Sequence, residues 1–301
     1  MHAEQSGAAA SSLPWWLTCS LQCVRPTKIT THVLSIIVLA CYLASAAWLG
    51  SSVYRADGHA ARGRRVTGLT LGALAVITHA VMLWQALFAR PTLAFSVGET
   101  ASLIGLPIGL IALIALWRNP RFAGIGAILM TLAGVVAATT DEGARNFALK
   151  QHNWEIGAHI ILSTTAYALL TIAAALAIAL WLLERRLRSR QPLGLLAALP
   201  SVEALEAATF QALTAGFAVL TLALFSGFVF VRDLFAQDLS RKTILSCLAW
   251  IVFAILLFGR WRFGWRGRIA TRWTMSGFAL LVLAYFGSKF VLESILGRHW
   301  G

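Results

Sequence analysis

The sequence predicts an all-α, polytopic integral membrane protein, a bundle of about eight transmembrane helices with both termini outside. Three observations carry this reading. Hydrophobic side chains make up 58% of the 301 residues and the mean hydropathy is +0.74, values of chains solvated by lipid rather than of soluble domains. The apolar residues come in runs of about 20, the length of helix that crosses the hydrocarbon core while satisfying its own backbone hydrogen bonds. The Asp, Glu, Lys and Arg residues, 12% of the chain, fall between the runs rather than within them.

Taken in order, the runs place spans near 31–54, 67–89, 99–117, 122–140, 155–183, 210–231, 243–259 and 273–297. Residues 1–30 precede the first run and are expected to form a poorly ordered tail. Pro14, Trp15 and Trp16 interrupt the only stretch that resembles a signal peptide, so the first span is expected to serve as its own insertion signal. Residues 31–301 form one transmembrane domain. Its longest connection is 184–209, where Pro200 and Ser201 precede Glu203 as a helix start, predicting an interfacial helix that leads into the sixth span. Gly68 with Gly72 and Gly105 with Gly109 have the small-xxx-small spacing that lets helix backbones approach in lipid. Pro107 lies within the third span, where it removes a backbone donor.

Lys and Arg set the orientation. One set of alternate connections holds Arg55, Arg62, Arg64, Arg65, Arg118, Arg121, Arg185, Arg186, Arg188, Arg190, Arg260, Arg262, Arg266, Arg268 and Arg272. The other holds the smaller group that includes Lys28, Arg90, Arg145, Lys150, Arg232, Lys242 and Arg298. The first set, with the 184–209 connection, is therefore expected to be cytoplasmic. The net charge of +13 is loop charge split by membrane-length segments, unlike the single basic face with aromatics that nucleic acid requires. Lipid headgroups, and no nucleic acid, are the partners this pattern implies. The four cysteines are too few and too scattered for a disulfide framework, and the Cys19–Cys23 pair reads as free thiols.

Ionisable residues inside spans are costly and face a bundle interior, a cavity or a cofactor. Of the seven histidines, His79 lies within the second span and His159 in the outer part of the fifth. His159 heads a stripe with Ser163, Ala166 and Tyr167 on one helix face. Either imidazole suits a haem iron or an interhelical hydrogen bond. With a 1.5 Å rise per residue, His79 lies roughly 15 Å below the outer end of its span and His159 about 6 Å below its own, so the two would not share one iron without tilt or a kink. Trp154 stands at the outer mouth of the fifth span beside His152 and His159, whereas Trp117, Trp181, Trp261, Trp265 and Trp273 read as interface anchors. Lys289 and Glu293, spaced i and i+4 in the last span, form a polar pair that lines an ion route or marks the helix end. No Walker motif, nucleophile elbow, HExxH or spaced carboxylate pair is present, and no enzyme is expected.

The segment 159–170, HIILSTTAYALL, resembles the HxxxSxxxYAxL segment of the CcsA-type cytochrome c assembly superfamily of haem-handling membrane proteins. Residues 242–250 (KTILSCLAW), 264–267 (GWRG) and 284–288 (AYFGS) are similar to its YpjD-like subgroup. The resemblance implies a bacterial inner membrane location, a role in cytochrome c biogenesis and haem as the cofactor. It matches His159 to the histidine that precedes the tryptophan-rich outer loop with which CcsA-type proteins present haem. Here the corresponding loop, 231–239, contains no tryptophan, Arg260 stands where the superfamily tends to have a membrane histidine, and His299 is the candidate for the second outer histidine.

The site expectations are thus haem contacts from His159, His79, Trp154 and Tyr167, with His159 and His79 as iron ligands, and a separate Lys289 and Glu293 pair. The functional expectation is a haem-binding or haem-handling accessory of cytochrome c biogenesis that lacks the presenting loop, with other biogenesis or membrane transport proteins as partners. Two alternatives stand beside it: an ion or small-solute transporter or a regulatory subunit of a transport complex, and a structural partner without a ligand.

Overall fold

The computed structural model describes residues 28–53, 58–88, 93–94, 97–139, 148–149, 154–230 and 237–287. The helices are α1 (Lys28–Val53), α2 (Gly58–Phe88), α3 (Val97–Arg118), α4 (Ala123–Ala138), α5 (Trp154–Arg188), α6 (Val202–Phe230), α7 (Gln237–Phe263) and α8 (Gly267–Val282). A π-helical turn, Leu283–Gly287, extends α8. Among the described residues, seven helices are long and apolar enough to cross a membrane. The predicted eighth span is described only as far as Gly287; its remainder, with Lys289, Glu293 and His299, lies outside the described residues, as do the tail up to residue 27 and the loop 231–236.

The helices outlast the apolar runs, chiefly at the arginine-rich end. α2 begins at Gly58, nine residues before the predicted span, and α5 continues through Arg185, Arg186 and Arg188. Apolar length registers only the hydrocarbon thickness, whereas nothing in these basic turns breaks a helix. Breaks come where backbone chemistry demands them. Asn119 accepts from the Arg121 N–H at 3.1 Å ahead of a 3₁₀ turn that Pro120 opens, and Gly264 and Gly267 take positive φ between α7 and α8. Ser201 caps α6, its hydroxyl accepting from the Ala204 N–H, as the Pro-Ser start predicts. The predicted interfacial helix is not separate: a 3₁₀ turn, Gly194–Ala198, precedes an α6 that runs unbroken to Phe230.

Neighbouring helices alternate in direction. Tyr42 of α1 meets His79 of α2 while Ser45 meets Gly68, so the two chains run oppositely. At the end away from the arginines, Leu93–Ala94 pairs antiparallel with Ala148–Leu149 and ties two connections together. One core joins α1 to α5 around Tyr42, Ile108, Leu116 and Met130, and another joins α5 to α8 around Leu170, Leu213, Phe253 and Leu256. α5 serves both, with Ala168, Ile172 and Leu176 in the first and Ala166, Leu170 and Ala173 in the second. It is accordingly 61% buried over its apolar window, against 44% or less for every other span. Glycine makes the closest approaches: a Cβ at position 109 would lie 2.6 Å from the Tyr42 hydroxyl.

Candidate functional site

The N-terminal third of α5 carries His159, and α6 runs beside it with Ser226 and Gly227 near its own end. His159 Nδ1 lies 2.9 Å from Ser226 Oγ, and Ser226 Oγ donates to the Ala223 carbonyl at 2.8 Å. A hydroxyl has one proton to give. With that proton on Ala223, Ser226 would accept from Nδ1, the tautomer in which Nε2 keeps its lone pair. Ser163, one turn along α5, stands 3.4 Å from Nε2, a distance that leaves Nε2 at most a weak internal partner. Gly227 makes room for the ring, since a Cβ there would lie 3.2 Å from His159 Cε1.

His159 lines a cavity of about 290 Å³ set among α3, α5, α6, α7 and the π-turn. Its walls are largely apolar, with Leu103, Leu220, Leu224 and Phe228 among them. The polar groups converge from several elements: Ser163 and Tyr167 from α5, Thr100 from α3, Lys242, Thr243 and Ser246 from α7, and Tyr285 from the π-turn. Tyr167 donates its hydroxyl to the Leu281 carbonyl at 3.0 Å, and Tyr285 donates to Thr100 Oγ1. The two rings meet edge to face with centroids 6.1 Å apart. The Lys242 ammonium sits 5.4 Å from the centroid of the Tyr285 ring. Tyr167 also lines a second, smaller apolar groove between α3, α4, α5 and α8.

The sequence-predicted residues therefore divide. His159 and Tyr167 are brought together at the cavity, Tyr167 with its proton already committed to α8. Trp154, the first residue of α5, is 76% exposed and is not part of the cavity wall. His79 is elsewhere, 0% exposed between α1 and α3. Tyr42 lies 3.2 Å from its Nδ1 and Ser102 lies 2.9 Å from its Nε2. Both ring nitrogens are engaged, so iron ligation by His79 would first require breaking one of these bonds. Lys289 and Glu293 lie outside the described residues.

Sequence reasoning missed Gly227, Lys242 and Tyr285 as cavity residues and Ser226 as the partner of His159. Ser226-Gly227 interrupts an otherwise apolar stretch of α6, which is a usable signal. Lys242, assigned to a loop from its charge, is instead the sixth residue of α7.

A second polar cluster lies at the arginine-rich end. Glu206 Oε1 accepts from Arg260 Nη1 and from Arg266 Nε, each at 2.7 Å. Arg260 also stacks over Phe210, 4.5 Å from the ring centroid. Hydrogen bonding to Glu206 and attraction to its charge hold the Arg266 guanidinium above its ordinary pKa. Arg260 is thus an ion-pair partner joining α7 to α6. Among the described residues, no three His, Cys, Asp or Glu side chains are grouped to hold a metal ion. A lone imidazole suits a metal that brings its other ligands with it.

Comparison with known proteins agrees with this architecture. The chain is 36% identical over 137 residues to the inner membrane protein YpjD of Escherichia coli K12, a match spanning 46% of this chain and 52% of that protein. It is 39% identical over 146 residues to an uncharacterized 28.8 kDa protein of Azospirillum brasilense, spanning 47% and 53%. The cytochrome c biogenesis protein CcsA of Prochlorococcus marinus NATL1A is 31% identical over 102 residues, spanning 33% and 32%. The chain thus spans about half the length, or less, of the curated relatives it matches. No solved structure matches it. Membrane-length helices together with an inner-membrane relative place the chain in the inner membrane. The family profile described as "Cytochrome C assembly protein" matches residues 67–296, which takes in α3 to α8 and every residue named around the cavity, and the chain belongs to that family.

Proposed function

We propose that this chain is a haem-binding or haem-handling protein accessory to cytochrome c biogenesis, in which His159 would hold the haem iron at the α5–α6 cavity. The observation that carries the reading is the Ala223–Ser226–His159 chain of hydrogen bonds. It favours the tautomer with the ring proton on Nδ1, in which Nε2, the nitrogen on the Ser163 side, has the lone pair a metal needs. The residues fit the group. The donor is an imidazole, the walls are mainly apolar, and the cavity of about 290 Å³ falls just short of the lower end of ligand sites, roughly 300 Å³.

When bound, haem would supply an iron that takes a nitrogen donor and can change oxidation state. The chain's own residues supply everything else. Ser226 orients the imidazole and fixes its tautomer. Leu103, Leu220, Leu224 and Phe228 give the site its apolar walls, and Tyr167 ties α5 to α8 beside it. No bond-making step is assigned to the protein, whose role is to hold and pass a ligand. The absence of tryptophan from residues 231–239 favours holding haem within the membrane over presenting it to a soluble acceptor. Other cytochrome c biogenesis proteins are the partners this role requires.

Titration of the detergent-purified protein with haem tests the reading. A saturable Soret shift is expected, lost in His159→Ala and retained in His79→Ala. A wild-type protein without such a band, or a band that His159→Ala leaves unchanged, would overturn the assignment.

A further inference from the structure

We propose that the turn 264–267, with Arg266 as its ligand-facing residue, binds the phosphate of an anionic phospholipid. The turn joins α7 to α8 through backbone chemistry. Gly264 takes positive φ and its N–H donates to the Arg260 carbonyl at 3.1 Å, the left-handed closure of a helix end. The Trp265 N–H turns back to the Gly259 carbonyl at 3.3 Å. Gly259 leaves no room for a Cβ beneath the Trp265 ring, and that ring meets Phe263 and Trp273 with centroids 6.4 and 5.6 Å away. Gly267, again at positive φ, starts α8.

This turn fixes the posture of Arg266. Its Nε donates to Glu206 Oε1 at 2.7 Å. Glu206 is buried and is also held by Arg260, whose Nη1 reaches the Trp265 carbonyl at 3.3 Å. A guanidinium carries five N–H donors in a planar fork. With Nε spent on Glu206, the edge formed by Nη1 and Nη2 meets no partner among the described residues, and the side chain is 62% exposed. That edge can meet a phosphate with two parallel bonds. Because Glu206 already orders the side chain, binding costs less rotamer freedom than at a loose surface arginine. Arg118 is such a loose residue, exposed at the same end with no side-chain bond among the described residues.

Charge and position name the ligand. Glu206 offers one negative charge to two guanidiniums, and Glu203 adds attraction to Arg266. Glu184, beside Gly267, pairs with Arg188. Arg262, Arg268 and Arg272, all exposed, leave the stretch 260–272 positive. Trp261 and Phe263 are exposed at the end of α7, and aromatic rings at a helix end sit at headgroup level. A phosphate at that level belongs to a lipid. A zwitterionic headgroup would bring its ammonium to the same arginines, whereas phosphatidylglycerol brings negative charge alone.

Native mass spectrometry of the intact chain in neutral detergent tests this, with phosphatidylglycerol and phosphatidylcholine of matched acyl chains in competition. The wild type is expected to bind a first phosphatidylglycerol about tenfold more tightly than phosphatidylcholine, the size of one charge-assisted contact. Arg266→Gln should lose most of that preference and Arg118→Gln should keep it. Arg266→Lys, which keeps the charge beside Glu206 but lacks the fork, should also lose most of it and serves if Arg266→Gln does not fold. Inorganic phosphate should not displace the lipid. Equal binding of the two lipids by the wild type would overturn the proposal, as would an equal loss in Arg118→Gln or a preference that survives both Arg266 variants. Displacement by inorganic phosphate would assign the turn to a soluble anion and overturn the lipid.

Discussion

Ser226→Ala isolates the orienting bond from the ligand itself. In the native site Ser226 Oγ lies 2.9 Å from His159 Nδ1 and is held in place by its own donation to Ala223 at 2.8 Å. Alanine removes the acceptor and leaves the imidazole and cavity walls intact. The loss is one neutral side-chain hydrogen bond, about 0.5–1.5 kcal/mol, together with the freedom the ring regains to move its proton to Nε2, where it blocks iron. Since about 1.4 kcal/mol is tenfold in affinity, haem binding should weaken by roughly 3- to 20-fold, overlapping the range for groups that orient a metal-bound histidine. The assay is a Soret titration of wild type, Ser226→Ala and Ser226→Thr in one detergent. Ser226→Thr, which keeps the hydroxyl, should recover most of the affinity. If Ser226→Ala binds haem as the wild type does while His159→Ala does not bind, the bond has no orienting role and the tautomer argument fails.

Two further predictions concern the scaffold. Gly109→Ala drives a Cβ to 2.6 Å from the Tyr42 hydroxyl on a ring that is 0% exposed. It should cost about 1–3 kcal/mol by overpacking and break the Tyr42–His79 bond, read as a lower thermal unfolding midpoint in detergent; an unchanged midpoint would show that α1 and α3 can separate freely. Glu206→Ala strands Arg260, whose side chain is 32% exposed. The loss should be about 1–2 kcal/mol, below the 3–5 kcal/mol typical of a fully buried pair, and a denaturant midpoint equal to wild type would refute an ion-pair role.

Much of the fold is legible in the chain because membrane length is a local property. Each apolar run declares a span without knowledge of its neighbours, and seven appear as membrane-length helices among the described residues. The ends were less legible, since the helical hydrogen bonds of α2 and α5 continue through basic turns that hydropathy assigns to loops. The site was half legible. His159 and Tyr167 share a helix face and could be paired by spacing alone. Lys242 could not, because a lysine near the end of an apolar run looks like loop charge until its helix is seen to start five residues earlier.

Sequence alone determined that the chain lives in a bilayer, where its arginines gather, which histidines lie at membrane depth and which family its motifs resemble. Tertiary structure decided what each histidine meets. Ser226 is 67 residues from His159, and Ser102 and Tyr42 are 23 and 37 residues from His79. Tyr285 is 185 residues from the Thr100 hydroxyl that anchors it beneath Lys242. Such partners carry no local periodicity. They are set by which faces of the helices meet in packing, and in lipid that depends on where glycine and small residues let backbones close. The same residue type thus bridges α1 and α3 at position 79, with both nitrogens bonded, and faces a cavity at position 159, with Ser226 at Nδ1 and Ser163 3.4 Å from Nε2.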